Sequence, residues 1–474
     1  MKMKIIHRKN RRSTPPDQNR ESVVQGNPRQ LATTILDRVD KEKSFAEPLL
    51  DAFLSQNILS SIQDRRLLTE LVYGTLRMRN RIDWVIQSNY TGDLKKMEGG
   101  ITNILRIALY QIIFTDRIPA YAACDEAVKM TKKDYPGRDR LVNAILRNAI
   151  RKMDGVTYPD FQGDPAAHIS SFHSHPKWLV EKWITRFGTE ETMEFCRSNN
   201  ERPPFTLRIN RLKTERNDVV RTLIDEGITA GPTAYSPDGI TISSPGMPVR
   251  EMSLYKKGNL LIQDEASQLI SLLLDPKPGD VVLDACSGAG IKTTHMAGLM
   301  QNRGTIIALD INERKIAGLK ELSQRFGATI IEPTIGDATE DMGPAYGEQF
   351  DRILVDAPCS ALGTLRRNPE IKWSRNAKDM KKFPRLQKRM LNRCAPYLKR
   401  GGIMLYSACT IDKDENEWVV EEFLRGNSDF ICISPSLSKD WKMTDGDGFF
   451  RTFPHRHKTD GFFGALLLKK MKGE

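Results

Sequence analysis

Apolar positions between Pro28 and about Met153 recur at intervals of three and four. Leu31, Ile35 and Leu36 form one group, Leu67, Leu68, Leu71 and Val72 a second, and Ile104, Leu105, Ala108, Leu109 and Ile112 a third. That period gathers the apolar side chains onto one stripe of a helix. Turn-forming residues break the runs at Tyr90-Thr91-Gly92, Gly99-Gly100, Pro119 and Pro136-Gly137. The spacing therefore predicts helices joined by short connections, a compact all-α bundle. Beyond Gly163-Asp164-Pro165 the pattern is mixed. His175 to Gly188 reads as an amphipathic helix, the runs beginning at Phe205 and Ile240 as strands, and Glu215 to Gly227 as a helix between them. A small α/β linking domain is the simplest account.

From about residue 258 short β-rich apolar runs alternate with helical stretches. The runs are 281–286, 305–310, 329–337, 350–358 and 401–409, with 465–470 near the end. Strands buried on both faces by covering helices look like this, and they pair in parallel. The expectation is a doubly wound, Rossmann-like α/β domain. The whole chain then divides into a basic arm (1–27), an all-α domain (28–154), the linking domain (155–257) and the Rossmann-like domain (258–474).

Charge adds a partner class. The chain has 474 residues, 72 Lys and Arg against 60 Asp and Glu, and a formal net charge of +12. Such a balance suits a polyanion, because each phosphate neutralised releases a counterion; a merely basic protein would look the same. The first twelve residues carry six Lys or Arg and no acid, and they read equally as an RNA-touching arm or a solvated tail. The stretch from Arg366 to Arg400 has thirteen Lys or Arg against two acids, which favours RNA contact over a solvated helix face.

No apolar run approaches the roughly 20 residues of a membrane span, and the basic amino terminus lacks the apolar block of a secretory signal. The expectation is a cytoplasmic protein with no membrane contact and no obligate protein partner evident. Seven cysteines, an odd number with no C-x-x-C pair, argue against a disulfide framework or structural zinc. His173 with His175, and His455 with His457, have no ligand cluster around them, so no metal site is expected. Cys124, Cys196, Cys394 and Cys432 read as packing residues.

In doubly wound folds ligands sit at the carboxyl ends of the strands. There the chain places Asp284-Ala-Cys-Ser-Gly-Ala-Gly290 before a helix starting near Lys292. Small residues admit close approach of a ligand, and the helix offers free amides, although a tight strand-to-helix turn reads equally well. A P-loop would need glycine where Ile291 stands, and a dinucleotide fingerprint a third glycine where Thr293 stands. Asp310, Asp337 and Asp356 then end the next three strands. One such acid is often a helix cap; three in succession favour a nucleoside cofactor.

Cys359 and Cys409 each follow a strand in a polar turn, and those strands are neighbours in the doubly wound order, so both thiols can reach one pocket. A thiolate adding to carbon 6 of cytosine makes carbon 5 nucleophilic enough to attack a sulfonium methyl. A carboxyl near ring nitrogen 3 eases the addition, and a further group must assist removal of the carbon 5 proton. Cys409, Asp356 and Cys359 supply one thiol, one carboxyl and one further group.

DACSGAGIKTTHMA, ALDINERK, GDAT, DAPCSALGTLRRNPEIKW and YSACTIDKDENE resemble, in order and spacing, the motifs of the RsmB/Nop/Sun family of RNA 5-cytosine methyltransferases, and 451–470 resembles that family's last motif. The stretches 64–84, 105–128 and 141–148 resemble the NusB-like RNA-binding domain of its bacterial RsmB branch. The resemblance implies S-adenosylmethionine as cofactor, RNA as partner and a bacterial small-subunit ribosomal RNA as target, ahead of transfer RNA or large-subunit RNA. It implies Cys409 as nucleophile, Cys359 in product release and Asp356 at the base. The implied cofactor positions are Cys286, Ser287, Gly288, Ala289, Gly290, Ile291, Lys292, Asp310, Asp337 and again Asp356.

The family usually reads C-A-A-P-G-G-K in the loop, so Ile291 adds a Cβ where glycine is common; Lys315 and Ala408 stand for a usual arginine and threonine. One rival is a non-catalytic RNA-binding or assembly factor with a degenerate cofactor loop, against which the retained thiols argue. An adenine amino-methyltransferase would want an N/D-P-P-Y turn where DAPCS stands.

Overall fold

The computed structural model describes residues 26–473 except 57, 60, 244–246, 344–345 and 437–438. Residues 1–25 of the basic arm lie outside the described residues. Contacts divide the chain into two units: one reaching to Val72 and including Met97–Leu146, the other comprising Tyr73–Lys96 and Arg147–Glu474.

The first unit is all helical. Its first helix, Pro28–Glu42, begins where sequence chemistry says it should: Asn27 accepts from the amides of Arg29 (2.9 Å) and Gln30 (3.4 Å), with Pro28 in the first turn. Helix Gly99–Phe114 is buried along most of its length and packs against Pro28–Glu42 and Ala120–Asp134. Leu31, Ile35, Leu36, Leu68, Leu71, Val72, Ile104, Leu105, Ala108 and Leu109 are core, whereas Leu67 and Ile112 are half-buried. Gly99-Gly100 is not a turn but the first turn of its helix. A Cβ on Gly100 would lie 1.8 Å from the Tyr135 hydroxyl, so the glycine serves close packing.

The second unit holds two sheets. The smaller is antiparallel, in the order β2 (Ala230–Pro232), β3 (Gly239–Ile242), β1 (Phe205–Ile209), β4 (Leu260–Ile262). Helix Arg216–Asp225 covers it through Val219 and Leu223, which meet Leu207, Ile209 and Ile240 in one core. The larger sheet comprises β5 (Val281–Asp284), β6 (Thr305–Asp310), β7 (Ile331–Ile335), β8 (Phe350–Asp356), β9 (Leu398–Ala408), β10 (Phe430–Ile433), β11 (Phe450–Arg451) and β12 (Phe463–Lys469). Its order is β10-β12-β9-β8-β5-β6-β7, with β11 pairing β12. Strands β5 to β9 pair in parallel. β12 runs antiparallel between β9 and β10, so the sheet is mixed rather than wholly parallel.

Helices Pro165–Phe172, Lys177–Phe187 and Thr189–Asn199 bury Ile169, Leu179, Trp183 and Phe195 against Leu362, Leu365 and Ile371, which follow the Cys359 turn. That packing corrects the expectation that the basic run from Arg366 as a whole faces RNA. Arg366 and Lys372 are buried. Arg366 lies 3.0 Å from Asp460, and Arg367 lies 2.7 Å from both Asp460 and Asp264. Lys372 donates to the carbonyls of Arg77 (3.2 Å) and Ser174 (3.1 Å) and to Asn200 Oδ1 (2.7 Å). Burial pushes its ammonium well below the usual lysine range. These cations clamp the segment that follows the Cys359 turn to its surroundings. Asp460→Ala should therefore cost about 3–5 kcal/mol of stability, since it takes the nearest carboxylate from the buried Arg366 and one of two from the half-buried Arg367. Denaturant unfolding reads this directly, and an unchanged midpoint would contradict the clamp.

Candidate active site

Strand ends bring the candidate residues to one edge of the large sheet. After β5, the loop from Cys286 to Lys292 turns through Gly288 (φ 57°) and Gly290 (φ 84°). Both lie in the left-handed region that favours glycine. At Gly290 space also decides, since a Cβ would stand 2.1 Å from Leu319 Cδ1. Ala289 sits in the turn between them, and Ile291 begins helix Ile291–Leu299. The Ile291 carbonyl accepts from the buried Arg208 guanidinium at 2.6 Å, so the loop's unusual residue is held through its backbone.

The acidic strand ends flank this loop. Asp310, at the end of β6, accepts from the Gly288 amide at 3.0 Å and from the Asn312 amide at 2.9 Å. Lys315 lies 3.7 Å from it. Asp337, just past β7, accepts from the Thr339 amide at 2.8 Å and is half-buried. Asp284 is buried against Thr293 Oγ1 at 2.7 Å. Burial pushes its carboxyl up to about 7. Burial also carries the Cys286 thiol well above its usual range, with Cys394 and the nearby carboxylates adding to the effect.

Asp356 ends β8 opposite Ser407 of β9. Its two oxygens accept from Lys292 Nζ at 2.6 Å and from Ser407 Oγ at 2.7 Å. Burial opposes the Lys292 charge, but Asp356, assisted by Cys409 and Asp284, holds the ammonium above the usual lysine range. Beyond this pair the two thiols meet, with Cys359 Sγ 3.2 Å from Cys409 Sγ. The hydrogen bond to Cys409 raises the Cys359 thiol well above its ordinary value, and burial and the Glu415 carboxylate add to the rise. The two sulfurs share this one contact, in which either can donate.

One group in this site escaped the sequence reading. Glu415 is buried between the two cysteine turns. It accepts from the Ser360 amide at 2.8 Å and from Gln387 Nε2 at 3.1 Å, and Gln387 also donates to the Pro358 carbonyl at 3.0 Å. Thr410 Oγ1, next to Cys409, lies 3.4 Å from its other oxygen and 2.8 Å from Ser360 Oγ. Burial pushes the Glu415 carboxyl up to about 7. Its place in the acidic run DKDENE disguised it as a solvated residue. Of the other cysteines, Cys196 and Cys394 are buried, while Cys124 and Cys432 are half-buried.

Comparison with known proteins settles the family. The description "16S rRNA methyltransferase RsmB/F" matches residues 271–468, the NusB family 26–151, and a ferredoxin-like domain of RsmF/B-like methyltransferases 175–250. A probable ribosomal RNA small subunit methyltransferase B of Bacillus subtilis (strain 168) is 34% identical over 93% of this chain and 98% of its own length. The chain belongs to the RsmB/F methyltransferase family. The corresponding Proteus mirabilis protein is 33% identical over 88% of this chain and 93% of its own. Among solved structures, PH0851 superposes with a TM-score of 0.79 at 28% identity, covering 93% of this chain and 99% of that one. A methyltransferase homologue from Pyrococcus horikoshii gives 0.57 at 26%, covering 65% and 99%. The chain is therefore an S-adenosylmethionine-dependent methyltransferase with a NusB domain, a small linking domain and a Rossmann-like catalytic domain.

The residues at the first strand end fit that cofactor. Ser287 Oγ and Asp284 Oδ1 are buried without a partner, and Gly288, where a Cβ would meet nothing within 4 Å, leaves the loop backbone open beside Asp310. A buried polar atom without a partner is costly unless a ligand completes it.

Proposed function

We propose that this enzyme methylates carbon 5 of a cytosine in 16S ribosomal RNA through a covalent bond to Cys409. The observation that carries the reading is the pair of thiols 3.2 Å apart beside the Asp356–Lys292 ion pair. S-adenosylmethionine, when bound, supplies the methyl cation equivalent. The loop from Cys286 to Lys292 would hold it, with Asp310 at the ribose hydroxyls and Asp337 at the adenine edge. The Asp356 carboxylate, kept in place by Lys292 and Ser407, would accept from the amino group of the flipped-out cytosine, and from nitrogen 3 once that nitrogen is protonated. Cys409 sulfur would add to carbon 6, and the electron pair released at carbon 5 would form the bond to the methyl carbon as that carbon's bond to the sulfonium sulfur breaks, its electrons staying on the cofactor. Loss of the carbon 5 proton, relayed through the Cys359 thiol to solvent, would then restore the double bond as the bond from carbon 6 to Cys409 breaks with its electrons returning to Cys409. Cys359, adjacent to Cys409, would assist this last step.

The test is incubation of deproteinised 16S rRNA with the enzyme and methyl-labelled cofactor, followed by nucleoside analysis. Label in 5-methylcytidine is expected; label confined to another nucleoside would overturn the reading. Asp310→Ala should weaken cofactor binding at least tenfold, because a charge-assisted hydrogen bond contributes about 1.5–3 kcal/mol. Calorimetric titration measures it, and unchanged affinity in a folded variant would remove Asp310 from the site.

A further inference from the structure

We propose that Arg375, Lys378, Lys381, Lys382 and Arg385 form a ledge that docks phosphates of the RNA strand beside the catalytic cysteines, a proposal that rests on the RNA reading above. The basic run divides physically at this point. Its first cations, Arg366, Arg367 and Lys372, are consumed by internal partners. The next five stand within eleven residues that contain one acid, Asp379.

Lys378, Lys381, Lys382 and Arg385 are exposed. Among the described residues, Lys382 is the one of these four paired with a carboxylate, Asp379 at 3.2 Å, with 78% of its side chain exposed. An ion pair so open to water contributes little and yields readily to a phosphate. Lys378 lies in the short helix Ala377–Met380, Lys381 joins that helix to Lys382–Cys394, and Arg385 stands in the first turn of the latter. The inner face of helix Lys382–Cys394 buries Pro384, Gln387, Met390 and Leu391.

That inner face fixes where the ledge lies. Gln387 holds the Pro358 carbonyl and Glu415, so the helix braces the turn that carries Cys359. At the other end Arg375 donates to the Ser360 carbonyl at 3.2 Å and covers the Phe383 ring at 5.4 Å. The ledge therefore starts one residue from a catalytic thiol and runs outward from it. A row of exposed cations anchored to the catalytic turn is complementary to a polyanion threaded toward that turn. It contributes affinity and register rather than sequence specificity.

The test uses the full chain and the triple variant Lys378→Gln, Lys381→Gln, Arg385→Gln, whose positions are solvated and do not threaten folding. Binding of deproteinised 16S rRNA and of a 30-nucleotide single-stranded RNA is titrated across a series of KCl concentrations. The logarithmic salt slope should become shallower by about 2–3, at about 0.7–0.9 per lost phosphate contact. The KM for S-adenosylmethionine should be unchanged. Restoring the charges as Lys378→Arg, Lys381→Arg and Arg385→Lys should restore the slope. An unaltered slope in the glutamine variant would overturn the ledge while leaving the proposed reaction intact. Absence of RNA binding by the parent enzyme at every salt concentration would overturn both.

Discussion

Cys409→Ala is expected to abolish methyl transfer and to leave no covalent enzyme–RNA species. Without addition at carbon 6, carbon 5 of cytosine cannot reach a sulfonium methyl at a useful rate, and no neighbouring group replaces a sulfur nucleophile. Cys359 does not take over in place: without Cys409, burial and the Glu415 carboxylate still raise its thiol above the ordinary value, which disfavours the thiolate that addition needs. Cofactor affinity should survive, since Cys409 follows β9 and the cofactor loop follows β5. Labelled methyl transfer and calorimetry on the same preparation separate the two effects.

Asp356→Asn is expected to lower kcat/KM for RNA by about 10²–10⁴, the usual range for loss of a positioned acid–base group. Asparagine preserves the shape and one acceptor toward Lys292 or Ser407. It removes the carboxylate charge paired with the Lys292 ammonium, which is 13% exposed. A buried ammonium facing a neutral amide loses its register, and with it the geometry of the loop that ends at Lys292. Both rate and cofactor affinity should therefore fall, the rate by far more. Single-turnover kinetics at saturating cofactor resolve the two, and a rate within tenfold of the parent would remove Asp356 from the chemistry.

Much of this was legible in the chain because the informative residues are local. Small residues after β5 and an acid at each following strand end announce a ligand edge wherever they fall in an α/β alternation. Parallel pairing then makes the ends of β8 and β9 neighbours, so Cys359 and Cys409 converge without further information. What stayed hidden depends on partners remote in sequence. Arg366 and Arg367 read as surface cations because Asp460 and Asp264 lie about a hundred residues away in either direction. Lys372 read the same way because its three acceptors come from other segments. Glu415 sits among charged neighbours and only the fold buries it. The antiparallel β12 was hidden for a different reason: a buried strand has the same composition in either direction.

The central claim is the order of action of the two thiols, and trapping the covalent complex tests it most directly. Enzyme is incubated with target RNA and S-adenosylmethionine, then resolved by denaturing gel electrophoresis. Cys359→Ala should give a shifted band that survives denaturation, because addition and methyl transfer proceed and release stalls. Cys409→Ala should give none, and the double variant should match Cys409→Ala. A stable band with Cys409→Ala and none with Cys359→Ala would contradict the account and make the cysteine after proline the nucleophile.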